Sequence, residues 1–144
     1  MDSRDELIAP AGAAAGVDVD AVKRVFEVIA RADAPTGIEE LLSFAHDDVE
    51  MRAYAAREVA GLGAGELLHG KDEVRDFFAK TRDEGFGITL RTRGFDVDGD
   101  TVVVRGSIRV ARPDASFAEA NVRWRFRFRD GLVDSIGWEP RAGD

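Results

Sequence analysis

The chain has 144 residues, 44% of them hydrophobic and 33% charged, a size and balance that suit one domain with its own buried core. It holds no cysteine, which excludes disulfides, thiolate metal sites and a cysteine nucleophile. Its net charge of −8 argues against nucleic acid, whose partners present basic surfaces.

Residues 1–17 lack periodicity and are expected to form a flexible N-terminal arm ahead of a domain spanning residues 18–140, with 141–144 as a tail. Asp18 is a good helix N-cap, and Val22, Val25, Phe26 and Ile29 fall at i, i+3, i+4, i+7, which predicts an amphipathic helix to about Arg31. Pro35-Thr36-Gly37 breaks it. A second helix should bury Ile38, Leu41, Leu42 and Ala45 and end at His46-Asp47-Asp48, with a short strand over Val49–Tyr54. Residues 55–65 are glycine-rich and read as a loop able to act as a lid. A third helix starts near Lys71 and buries Val74, Phe77 and Phe78. Strands follow at about 88–97, 101–112, 116–129 and 132–139, separated by Asp98-Gly99-Asp100, Pro113-Asp114-Ala115 and Asp130-Gly131. Helices first and an antiparallel meander last give an α+β fold, with three helices packed on one face of a sheet.

The run Asn121–Arg129 has period two. Val122, Trp124, Phe126 and Phe128 point one way, and Arg123, Arg125, Arg127 and Arg129 the other. A three-residue loop at 113–115 sets Arg109 opposite Glu119, Ser107 opposite Asn121 and Val104 opposite Trp124. That one register satisfies both faces. It also sets Arg105 opposite Arg123, which is unfavourable unless a carboxylate lies between them. A two-residue Asp130-Gly131 turn would put Arg127 opposite Asp134 and Phe126 opposite Ser135. The charge is uneven as well: residues 1–84 carry 19 acids against 10 bases, and residues 85–144 carry 9 against 10. Acidic helices and a basic sheet either only solubilise the helices or pair between subunits.

Three stretches carry a resemblance: Phe44-Ala45-His46-Asp47-Asp48-Val49-Glu50-Met51, Leu68-His69-Gly70-Lys71-Asp72-Glu73-Val74-Arg75-Asp76-Phe77-Phe78, and Trp124-Arg125-Phe126-Arg127-Phe128-Arg129-Asp130-Gly131. In this order the chain resembles the SnoaL-like branch of the nuclear transport factor 2-like superfamily over most of residues 19–139. The resemblance implies a cone in which three helices close a curved sheet around a pocket, usually as a homodimer. It also implies one of several roles: polyketide cyclase, ketosteroid isomerase, epoxide hydrolase or ligand-binding protein. The two acids of the ketosteroid isomerases match Met51 and Trp124 here. Methionine cannot take a proton and indole only donates a hydrogen bond, so that mechanism is not expected.

Glu139 falls on the apolar face with Val133, Ser135 and Gly137 in the two-residue-turn register, where burial would raise its pKa and suit it to acid or base work; otherwise it ends the strand in solvent. Tyr54, the only tyrosine, either offers a phenol at the cavity mouth or packs at its rim. His69 is a pocket base or a loop brace. His46 beside two aspartates reads as structural rather than as a metal site, and no metal or other cofactor is expected. Trp124, Val122, Phe126, Met51, Val104 and Phe26 are the expected ligand-binding or core surface. Arg91 and Arg93 face outward if Asp98-Gly99-Asp100 is a three-residue loop. They face the cavity, where they could hold a carboxylate or enolate, if Asp98-Gly99 is a two-residue turn; a bulge could reverse either case.

With no long apolar run and no leader pattern, the expectation is a cytoplasmic protein with neither membrane nor nucleic-acid partner. The leading function is binding of a small hydrophobic molecule by a homodimer joined through the Arg123 and Arg125 face. The alternatives are a cyclase, isomerase or hydrolase using Glu139, His69 or Tyr54, and an interaction module with a filled cavity.

Overall fold

The computed structural model describes residues 17–52 and 67–140. Helix α1 (Val19–Arg31) begins where Asp18 Oδ1 accepts the Ala21 N–H at 2.9 Å, and its buried stripe is Ala21, Val22, Val25, Phe26 and Ile29. Val17, assigned above to the arm, is 5% exposed and belongs to the core. Helix α2 (Ala34–Leu42) starts earlier than expected. Pro35 does not break it, because a proline in the first turn forfeits only an N–H that has no helical acceptor. Asp33 caps it, accepting the Thr36 N–H at 2.8 Å. Gly37 lets α2 close on α1, since a Cβ there would run into Ile29 Cγ1.

Strand β1 (Ala45–Arg52) takes over four residues before the expected strand, so His46 lies in a strand instead of ending a helix. Its Nε2 sits 2.6 Å from the Arg129 carbonyl oxygen, which ties β1 to a residue 83 positions further along the chain. Strand β2 (Leu67–His69), too short to show periodicity, pairs antiparallel with β1. Helix α3 (Gly70–Asp83) starts with Glu73 Oε1 accepting the His69 N–H at 2.9 Å. The meander β3 (Gly87–Asp98), β4 (Thr101–Ala111), β5 (Phe117–Arg129) and β6 (Leu132–Pro140) then completes a curved six-stranded sheet of order β2-β1-β6-β5-β4-β3. All pairs are antiparallel except β1 with β6. The three helices and the sheet make the α+β cone expected above.

The register of β4 against β5 is the one the two-faced pattern demands, with Val104 opposite Trp124 and Arg105 opposite Arg123. The other two hairpins each contain a bulge. In β6, Phe128 pairs with Val133 but Arg127 pairs with Ser135, so the strand slips by one residue at Asp134. In β3, Asp98 pairs with Thr101, leaving Gly99-Asp100 as the two-residue turn. A second shift at Arg93 then restores Thr92 opposite Gly106 and Leu90 opposite Ile108. Neither turn considered from the sequence forms: Phe95 meets Val104, where the alternatives set Gly94 or Arg93 against Val104. Val22, Val49, Val74, Val102, Val104, Val122 and Val133 are wholly buried between helices and sheet.

Candidate functional site

An apolar cavity of about 70 Å³ lies between the helices and the concave sheet face. Phe26 on α1 is central to its wall, with ring centroids 5.1 Å from Trp124, 5.9 Å from Phe126 and 6.0 Å from Phe95. Val25, Ile29, Ile38, Leu41 and Phe78 enclose it from the helices, and Met51, Leu90, Ile108, Ile136 and Trp138 from the sheet. Both tryptophans of the chain therefore line the same space. Among the described lining residues the side chains that carry nitrogen are Trp124, Trp138 and Arg52, and none is a carboxylate, imidazole or hydroxyl. Such walls can bury an apolar body and donate an indole N–H, but they hold no group able to take a proton.

Trp124, Phe126, Met51 and Phe26 line the cavity. Val122 and Val104 do not; at 0% exposure they are packed core beneath it. Glu139 is on the other face. The Asp134 bulge turns Ile136 and Trp138 inward and sends Glu139 outward, where its Oε1 accepts from Arg125 Nε at 2.8 Å and lies 3.9 Å from Arg123 Nη1. His69 is exposed on β2 with its Nδ1 3.2 Å from Glu50 Oε2, outside the cavity and beside the start of α3, a bracing position. Arg91 and Arg93 are exposed, turned away from the cavity by the bulge at Arg93. Tyr54 and the 55–65 loop lie outside the described residues.

The outer face answers the problem of Arg105 opposite Arg123. Asp96 stands 3.1 Å from Arg105 Nε and Glu139 serves Arg123 and Arg125, so the sheet itself supplies the carboxylates that this pairing needs. Asp134, whose side chain is 9% exposed, accepts from Arg127 at 2.9 Å and from Arg129 at 3.0 Å. Burial pushes its carboxyl up, but the hydrogen bonds and charges of the two guanidiniums outweigh burial and hold it below the usual carboxylate range. Among the described residues no group of three or more histidines and acids is placed to hold a metal ion, and no helix is long and apolar enough to cross a membrane.

A three-helix cone over a curved sheet with an apolar interior is the form that the resemblance implied, and the SnoaL-like domain model matches residues 22–136. The chain belongs to the SnoaL-like family. Among solved structures, this SnoaL-like chain is similar to a nuclear transport factor 2-like protein of unknown function from Burkholderia pseudomallei, with 23% identity, 85% of this chain and 88% of that one covered, and a TM-score of 0.68. It is also similar to TerC co-crystallised with polyporic acid, at 26% identity, 85% and 90% coverage, and a TM-score of 0.65. An LEH-like epoxide hydrolase of M. tuberculosis shares the fold at 11% identity, with 89% and 84% coverage and a TM-score of 0.63. No curated protein matches the chain in sequence.

Proposed function

We propose that this SnoaL-like protein binds a small hydrophobic molecule in its cavity, held by apolar contact and stacking instead of by acid–base groups. One observation carries the reading: Phe26, Phe78, Trp124, Phe126 and Trp138 converge on a single space whose described walls are otherwise aliphatic apart from Arg52. The likeness to TerC, co-crystallised with polyporic acid, supports it and supplies a first probe. Because both tryptophans line the space, intrinsic emission is the assay. Polyporic acid and a panel of alkyl- and aryl-substituted ketones should change emission saturably at micromolar to millimolar concentration. Emission unchanged across the panel would overturn the reading. The catalytic alternative draws no support from Glu139 or His69, which stand outside the cavity.

The outer sheet face is our proposed contact between two copies. It carries Arg109, Arg123 and Arg125 interleaved with Glu119 and Glu139, a mixed-sign pattern that a two-fold axis can match to itself. Sedimentation should show a dimer that Arg123→Glu with Arg125→Glu weakens, and a wild-type monomer at micromolar concentration would overturn it.

A further inference from the structure

The cavity alone is too small for most ligands. Its volume of about 70 Å³ is under half of the ~150 Å³ apolar cavity that admits benzene, and small-molecule sites usually measure ~300–1,000 Å³. A second space of about 610 Å³ adjoins it, between the C-terminal ends of α1 and α3, the first turn of α2 and the free edge of β3. The two spaces share five wall residues: Ile29, Ala34, Phe78, Ile88 and Leu90. The inner cavity reaches that range only when joined to the outer space, so a molecule bound in it extends into both.

The outer space differs in chemistry. Asp33, Arg82 and Arg91 all line it. Arg82 is offset, with its Nε 3.6 Å from Asp83 Oδ1 and Asp33 in the same wall. The side chain of Arg91 has no carboxylate partner among the described residues, whereas Arg105, Arg109, Arg123, Arg125, Arg127 and Arg129 each have one. Because β3 is an edge strand, a side chain on its outer face can border this space without entering the inner cavity. The inner walls are apolar apart from Arg52 and the two indoles, whereas Arg82 and Arg91 both line the outer space, so the outer space is the better place for an acidic end.

The geometry points to an amphiphilic carboxylic or similarly acidic ligand, its apolar end in the inner cavity and its anion on Arg91 in the outer space. This rests on the cavity being a binding site, and it adds the class of ligand and the residue that selects it. The guanidinium would supply charge-assisted hydrogen bonds to the anion.

The test compares 4-butylbenzoate with 4-butylbenzamide, by calorimetry and tryptophan emission together, on the wild-type full chain, Arg91→Gln and Arg93→Gln. Both arginines are exposed, so both variants should fold. The carboxylate should bind about tenfold or more tighter than the amide, Arg91→Gln should abolish that preference, and Arg93→Gln, outside both spaces, should retain it. Equal binding of the two probes, or a preference that survives Arg91→Gln, would overturn the assignment while leaving the cavity reading intact. No effect of either probe on the tryptophans would overturn both.

Discussion

Replacing Trp124 by alanine tests the strand faces and the site together. At 7% exposure, Trp124 keeps nearly all of its side chain from water, and an aromatic residue buries about 150–250 Å². At ~25 cal/mol per Å² that is ~4–6 kcal/mol, an upper bound because the unfolded chain already hides part of the surface. The retained methyl group lowers it further, to the ~3–5 kcal/mol typical of large aromatic truncations. Of this, about 0.5–1.5 kcal/mol belongs to the contact with the Phe26 ring, whose centroid is 5.1 Å away. Urea unfolding followed by far-ultraviolet circular dichroism measures the total, and a double-mutant cycle with Phe26→Ala measures the shared part. A loss under ~1 kcal/mol with an unchanged denaturant slope would refute the reasoning, since no indole buried among Phe26, Phe126 and Ile108 can be removed so cheaply.

Asp134→Asn should destabilise by about 1–3 kcal/mol at neutral pH by breaking charge-assisted hydrogen bonds to Arg127 and Arg129. The native carboxyl is held below its ordinary value, so this stability is complete above the unfolded pKa of ~3.9 and fades as pH falls through the folded one. Acid titration of both proteins should therefore show their stabilities converging below about pH 4; a gap constant down to pH 2 would refute it. Gly37→Ala should destabilise by about 1–2 kcal/mol despite alanine's better helix propensity, because its methyl group meets Ile29. The same change in an Ile29→Ala background should be neutral or stabilising, as thermal melts would show.

Much of the fold was legible because its signals are local and redundant. The run Asn121–Arg129 alternates without error, and its partner Arg105–Val110 alternates in step, so one register was forced. Within the meander, the faces of Arg91, Arg93 and Glu139 were lost to one cause, an extra residue inserted in a strand. A bulge has no composition of its own, yet it leaves a trace, because it switches the parity of the apolar positions. Ile88 and Leu90 are even while Phe95 and Val97 are odd; Val133 is odd while Ile136 and Trp138 are even. Each switch brackets the residue at which the ladder shifts, Arg93 in one strand and Asp134 in the other. Followed through, the second would have put Trp138 into the cavity and taken Glu139 out. The outer space was not legible at all, because it assembles the ends of three helices and a sheet edge that are adjacent only in the folded chain.

The parallel pairing of β1 with β6 bears on how the chain acquires its shape. Ala45 lies against Val133, and the Phe44 carbonyl accepts the Val133 N–H at 3.0 Å, so the first strand's place in the sheet is fixed by the last. A ribosome adding about 5–20 residues per second exposes α1, α2 and β1 seconds before β6 emerges. Over that interval Val49 and Met51 lack the neighbour that later buries them, and the contact that does so closes a loop holding most of the chain. Contacts of that span are slow to form, so final closure is expected to be a late and collective step, with the nascent chain relying on its excess of acidic residues to stay apart from its neighbours until then.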